Sequence, residues 1–154
     1  RPPVVHGAGA EANMARLAAM ARLPLPLPLG GLAGKRSILS DTNLASAVAF
    51  LLGNDAAKGR VLHLSDGEPL TIGDMVALMR AALGRRPGIV AGLPGRATAT
   101  ALSMLVPQAA ARLAADLVID DAAIRAIGWE PVEPSSAGLA RLVRAAAGLP
   151  HTRL

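Results

Sequence analysis

The chain has 154 residues, 52% of them hydrophobic, which is enough to build one domain with a core of its own. It has no cysteine, so it offers neither disulfides nor a thiolate metal site, and we expect a reducing, cytoplasmic setting. Its three histidines, His6, His63 and His151, are too scattered to suggest zinc. We therefore expect no metal site.

The formal charge is +5, and only Lys35 and Lys58 among the 16 basic residues are lysines. Arginine holds phosphate oxygens in a bidentate manner. The scattered basic residues and the two aromatic residues, Phe50 and Trp129, offer little to a nucleic acid. The composition therefore favours a small phosphorylated ligand over a nucleic acid. No apolar run reaches the length of a membrane span, so none is predicted.

The first third of the chain alternates extended and helical patterns. Residues 1–5 predict a strand, and 11–22 carry apolar residues at helical spacing. The run LPLPLPLGG, 23–31, predicts an extended segment along a surface groove, because proline excludes a helix and a central strand. Residues 35–40 predict a second strand.

The next pattern is a helix, a strand and another helix. We predict a helix over 43–52 capped by Asp41 or Thr42, then a strand over 60–65. Thr71 is expected to cap the following helix. The apolar face of the first helix is predicted to consist of Leu44, Val48, Leu51 and Leu52.

The last third repeats the alternation with shorter elements. Residues 89–90 and 117–119 predict short strands, separated by an alanine-rich helical region over 96–115 that is interrupted at Pro107. Asp120 or Asp121 is expected to cap a small helix ending at Ile127, and Ser135 or Ser136 a final one. The alternation predicts an α/β fold in a single domain over 1–154.

Four blocks carry a resemblance to a known family: RPPVVHGAG, GKRSILSDTNLASAV, VLHLSDGEPLTIGDMVALMRAALGRRP and LVIDDAAIRAIGWEP. In this order they resemble the C-terminal, substrate-binding half of an extended short-chain dehydrogenase/reductase. The resemblance is to the NAD-dependent epimerase/dehydratase family and its UDP-sugar 4-epimerase-like branch. It implies part of a Rossmann-like fold and a fragment that lacks the N-terminal NAD-binding half.

The resemblance also implies substrate-binding residues. The first block is similar to the family's R-x-x-x-V-Y-G-P-G, which places His6, where tyrosine is usual, and Gly7 near the sugar. Asn13 matches a family asparagine that contacts the nucleotide, and Arg36 matches a family arginine that pairs with the diphosphate. Arg112 stands about where the family places a second such arginine.

Other roles for these residues are open. Gly7 and Gly9 could simply supply positive φ in a turn, Asn13 could cap a helix, and Arg36 could be solvated. Among the remaining residues, Trp129 is expected to be a packing anchor and His63 a strand residue with a satisfied ring. Arg85 and Arg86 are expected to serve a helix end or solvent: we expect no ligand there.

The resembled chemistry requires residues that this chain lacks. It has no tyrosine, hence no Tyr-x-x-x-Lys pair, and no glycine-rich turn for NAD. We therefore expect no catalytic residue, no turnover and no cofactor here, with NAD held elsewhere in a parent enzyme that dimerises. The alternatives are part of a 4,6-dehydratase or 4-keto-reductase, a non-catalytic nucleotide-sugar-binding protein, and an Ala/Arg-rich scaffold or nucleic-acid binder.

Overall fold

A computed structural model describes residues 3–9, 12–105, 111 and 113–149 of the chain. Strand β1 (Val4–His6) pairs in parallel with β2 (Ile38–Ser40), with His6 opposite Ser40. Helix α1 (Ala12–Arg22) connects them. This mixed α/β arrangement agrees with the predicted fold class and is compatible with part of a Rossmann-like fold.

The remaining elements follow β2, and no helix in the described ranges is long and apolar enough to cross a membrane. They are α2 (Asp41–Leu52), a 3-10 turn (Asp55–Ala57), α3 (Ile72–Ala82), α4 (Gly92–Leu105), α5 (Ala122–Arg125) and α6 (Ser135–Ala146).

Strand β2 separates two apolar cores. Ile38 belongs to the first and Leu39 to the second, because successive side chains of a strand point to opposite faces. The first core is built mainly by α1, α3 and α6. The second contains Trp129, which is 2% exposed and packs with Ile124 and Leu64. Trp129 is therefore the packing anchor that the sequence predicts.

Helix α2 begins earlier than predicted and buries a different face. The cap is neither Asp41 nor Thr42: the Ser40 hydroxyl accepts a hydrogen bond from the Asn43 backbone N–H at 3.0 Å. Asn43 and Ala47 are the buried residues of α2, whereas Val48 is 47% and Leu52 85% exposed. The predicted apolar face is wrong in these two positions because Asn43 is drawn inward by polar partners.

Residues 60–65 do not form the predicted strand, although Leu62 and Leu64 are buried and His63 between them is exposed. Directly after this segment, the Asp66 N–H donates to the Ile38 carbonyl of β2 at 2.9 Å. The next N–H on that side of β2, from Ser40, donates to the Asp66 carboxylate instead of a backbone carbonyl. A side chain thus replaces the ladder that a strand would need.

The other helix starts give one confirmation and two corrections. Thr71 and Asp74 cap α3 reciprocally, as predicted. Neither Ser135 nor Ser136 caps α6: Pro134 holds the cap position, and the Ser135 hydroxyl donates to Asp66. Helix α4 begins at Gly92, earlier than the predicted start at residue 96. Its first turn can include Pro94, because the N–H that proline lacks would be unpaired there anyway.

The short strands predicted over residues 89–90 and 117–119 are present only as isolated β-bridges. Leu27 in the proline-leucine segment pairs with Ile89, and Arg36 pairs with Leu117. Helix α5 ends at Arg125, and the Asp120 carboxylate accepts the Ala122 N–H at 2.9 Å. The predicted break at Pro107 lies outside the described residues.

Arg80 fixes the proline-leucine segment to α3. Its side chain is buried and donates to the carbonyls of Leu23, Leu25, Pro87 and Gly88 at 2.7–3.3 Å. The segment forms no helix, as predicted, and one buried guanidinium binds two of its carbonyls and two carbonyls of the loop after α3. The helix-end role expected for arginines 85 and 86 holds for the first, which donates to the last carbonyl of α1.

Candidate functional site

A cavity of about 630 Å³ lies against α1, within the range of pockets that hold small molecules. Its polar lining residues among those described are Asn13, Arg16, Arg36 and Ser37. We call it the α1 cavity. The rest of its lining is apolar and consists of Pro3, Val4, Met14, Leu17, Met20, Leu29, Leu32, Ile38, Ile72, Met75, Leu113, Leu117, Val118 and Ile119.

The backbone of Arg36 is held on two sides. Its N–H donates to the Leu70 carbonyl at 2.9 Å, and its carbonyl accepts the Leu70 N–H at 3.0 Å. On the other side it forms a parallel bridge with Leu117. The backbone of the half-buried Arg36 is therefore held in place beside the α1 cavity.

The wall formed by residues 113–119 is fastened to the chain beside Arg36. The Ser37 N–H donates to the Leu117 carbonyl at 3.0 Å, and the Ser37 hydroxyl accepts the Ile119 N–H at 2.9 Å. Arg112, the second predicted diphosphate ligand, lies outside the described residues. Its role stays a prediction.

Asn13 lies on the first turn of α1, exposed and facing the α1 cavity. The helix begins at Ala12, so Asn13 lies inside it and the capping alternative is wrong. The structure thus brings Asn13 and Arg36, which are 23 positions apart in the chain, to one cavity.

His6 occupies a different environment. Its side chain is fully buried, and Nε2 lies 3.1 Å from Oδ2 of Asp66. Nδ1 is buried without a hydrogen-bond partner among the described residues. His6 does not line the α1 cavity as described, and its predicted contact with a sugar stays a prediction.

Asp66 is the centre of a buried polar cluster that includes His6. Its carboxylate accepts hydrogen bonds from the Ser40 N–H at 2.9 Å, Asn43 Nδ2 at 2.7 Å and the Ser135 hydroxyl at 3.0 Å. Burial acts to raise the pKa of Asp66, but hydrogen bonds from His6, Asn43 and Ser40 outweigh it. The pKa therefore lies below its ordinary value, and the group is a carboxylate at neutral pH.

Asn43 extends the Asp66 cluster to the segment before α6. Its Oδ1 accepts the N–H groups of Val132 and Glu133 at 2.9 and 3.1 Å, and its Nδ2 also donates to the Glu133 carbonyl. All of its polar atoms are used by the fold. The cluster ties β1, β2, α2 and α6 together, and this is a structural task.

Gly7 is required for space, not for a left-handed backbone. Its φ is not positive, nor is that of Gly9, so the positive-φ alternative is wrong. A Cβ on Gly7 would lie 2.0 Å from Oδ2 of Asp41. The Asp41 carboxylate in turn accepts from Arg141 at 2.8 Å.

A second cavity of about 440 Å³ is less suited to an anion. Its charged lining residues are Asp66, Glu68, Glu130, Glu133 and Arg125. Within the described ranges, no group of three or more histidine, aspartate or glutamate residues is placed to hold a metal ion. The α1 cavity is therefore the better candidate for a phosphorylated ligand.

Sequence reasoning missed three residues of these sites. Arg16 lies three positions after Asn13, and helical spacing puts both residues on one face. The sequence pattern could therefore have identified Arg16. Asp66 and Asn43 carried no such signal, because their partners are brought together only by the fold.

The chain is similar in part to the UDP-glucose 4-epimerase of Vibrio cholerae. The two are 33% identical over 84 residues, which cover 54% of this chain and 26% of that protein. The match thus spans about a quarter of the relative's length. No family model and no solved structure matches the chain. The partial match supports an epimerase-like relationship.

Proposed function

We propose that this chain recognises the nucleotide part of a UDP-hexose in the α1 cavity. The observation that carries the proposal is the meeting of Asn13 and Arg36 in one cavity of suitable size. The amide of Asn13 can bond to a sugar or phosphate oxygen, and Arg36 can hold two phosphate oxygens. The apolar remainder of the lining suits a base and ribose. The partial likeness to a UDP-glucose 4-epimerase supports the same ligand class.

The proposal places this chain in an NAD-dependent nucleotide-sugar 4-epimerase as its substrate-recognition portion. When bound, NAD supplies hydride transfer at the sugar carbon. The sequence has no glycine-rich turn for its phosphates and no tyrosine to move the hydroxyl proton. NAD binding and proton transfer are therefore assigned to residues outside these 154, and the chain alone is expected to be inactive.

Calorimetry of the purified chain tests ligand recognition. UDP-glucose, UDP-galactose and UDP-N-acetylglucosamine are titrated into the natural chain, Arg36→Gln and the control Arg60→Gln. Arg60 is exposed and lies away from the α1 cavity. Loss of one charge-assisted contact is expected to weaken binding by about tenfold or more in Arg36→Gln only. Absence of heat with every UDP- and TDP-sugar would disprove the proposal.

A coupled assay tests the assigned division of labour. The chain alone is expected not to interconvert UDP-glucose and UDP-galactose, with or without added NAD. Turnover by the chain alone, or NAD that stays bound through extensive dialysis, would contradict the assignment of chemistry to other residues. DNA binding that weakens steeply with salt would instead favour a nucleic-acid binder.

A further inference from the structure

Arg16 is a charged side chain that the fold leaves without a partner. Among the described residues it forms no hydrogen bond or ion pair. Other arginines are committed to the fold: Arg80 binds four carbonyls, Arg125 pairs with Asp121, and Arg141 pairs with Glu133. Arg16 instead lines the α1 cavity from an exposed position on α1.

The charged side chains in the described lining of the α1 cavity are both positive. Arg16 and Arg36 contribute two guanidinium groups from two different elements, and no aspartate or glutamate is among the described lining residues. The rest of the lining is apolar apart from Asn13 and Ser37. Two cations beside an apolar surface attract negatively charged groups. A ligand with an apolar body and two negative charges therefore fits best.

Position on α1 gives Arg16 access to the same ligand as Asn13. The two residues are three positions apart, so their side chains lie on one face of the helix. The long Arg16 side chain can therefore reach a ligand that Asn13 binds.

We infer that Arg16 is a second phosphate-binding cation of the α1 cavity and makes it selective for nucleoside diphosphates over monophosphates. The inference rests on the proposed nucleotide site and adds a residue and a selectivity to it. Arg36, fixed at the backbone, holds one phosphate. Arg16, on the exposed surface of α1, reaches the other.

The test compares uridine, UMP and UDP by calorimetry in the natural chain, Arg16→Gln, Arg16→Lys and the control Arg60→Gln. Arg16→Gln is expected to bind UDP about tenfold more weakly while uridine and UMP change less than about twofold, as expected for one charge-assisted contact. The ratio of UDP to UMP affinity should therefore fall. Arg16→Lys is expected to retain part of it, because lysine keeps the charge without the fork.

Salt gives an independent readout. UDP affinity is expected to fall less steeply with KCl in Arg16→Gln than in the natural chain, since one fewer charge contact is screened. A merely structural role would lower uridine, UMP and UDP binding alike.

Two negative outcomes are distinguishable. If the natural chain binds none of the three ligands, the proposed function fails together with this inference. If it binds UDP and Arg16→Gln has the same UDP-to-UMP ratio and salt slope, the proposed function stands and the role of Arg16 is disproved.

Discussion

The Nε2 atom of His6 lies 3.1 Å from the Oδ2 atom of Asp66, and both side chains are fully buried. This contact joins β1 to the loop that follows residues 60–65, 60 positions along the chain. Because Asp66 also accepts from Ser40, Asn43 and Ser135, one carboxylate serves four structural elements. The stability of this fold is therefore concentrated at one acceptor.

Asp66→Asn is expected to destabilise the chain strongly. The new amide NH₂ would face His6 and Ser135 in place of an accepting oxygen, which leaves buried donors unpaired. The expected loss is about 3 kcal/mol of unfolding free energy. Urea unfolding followed by circular dichroism measures it. Asp55→Asn is the control, since Asp55 is exposed and paired only with exposed Lys58. A midpoint equal to that of the control would contradict the structural role of Asp66.

Acid is expected to remove stability that depends on Asp66. Its folded pKa lies below the ordinary 3.8, so the unfolded chain takes up a proton first as pH falls. The stabilisation is present above pH 3.8 and is lost progressively below it. Unfolding free energy measured from pH 7 to 2.5 should fall through this region, and less steeply in Asp66→Asn. Equal slopes in both chains would show that other carboxylates dominate.

Gly138→Ala is expected to disturb the Asp66 cluster from the α6 side. A Cβ there would lie 2.5 Å from Cε1 of His6 and 2.9 Å from Cβ of Ser40, and both neighbours are buried. Overpacking of this kind costs about 1–3 kcal/mol. Thermal unfolding measures the loss. Gly9→Ala has open space around the new methyl group and should melt close to the natural chain. No difference between the two variants would disprove the close contact.

Ser40→Ala is expected to weaken the start of α2 more than Thr42→Ala. The Ser40 hydroxyl accepts the Asn43 N–H, whereas the Thr42 hydroxyl bonds with Asp41 and Arg141 at the surface. Loss of the cap costs about 1 kcal/mol. Chemical unfolding of both variants measures the loss of unfolding free energy. A larger loss in Thr42→Ala than in Ser40→Ala would identify Thr42 as the cap of α2.

Arg80→Met is expected to release the proline-leucine segment. The substitution keeps much of the side-chain volume but leaves the carbonyls of Leu23 and Leu25 without their donor. Hydrogen exchange of the segment 27–32, which carries Leu27, Leu29 and Leu32, should become faster. Arg86→Met, at an exposed arginine, is the control and should leave exchange unchanged. Unchanged exchange in both would contradict the fastening role of Arg80.

Helix α3 and the extended proline-leucine segment could be predicted because their signals are local. Thr71 and Asp74 stand three positions apart as a capping box requires, and the alternating prolines of residues 23–31 exclude a helix interior there. The cap of α2 was misassigned because Ser40, Asp41 and Thr42 are all good caps and only the end of β2 decides among them.

The candidate ligand residues follow from the amino-acid sequence: an arginine in a strand-like block and an asparagine at a helix start, in a chain without tyrosine or cysteine. The folded chain adds that Asn13 and Arg36 share a cavity with Arg16, and that His6 is buried against Asp66. The reason is the separation along the chain between the residues that interact. Caps and helical faces depend on neighbours within a turn, whereas a cavity and a buried carboxylate depend on segments that only folding brings together.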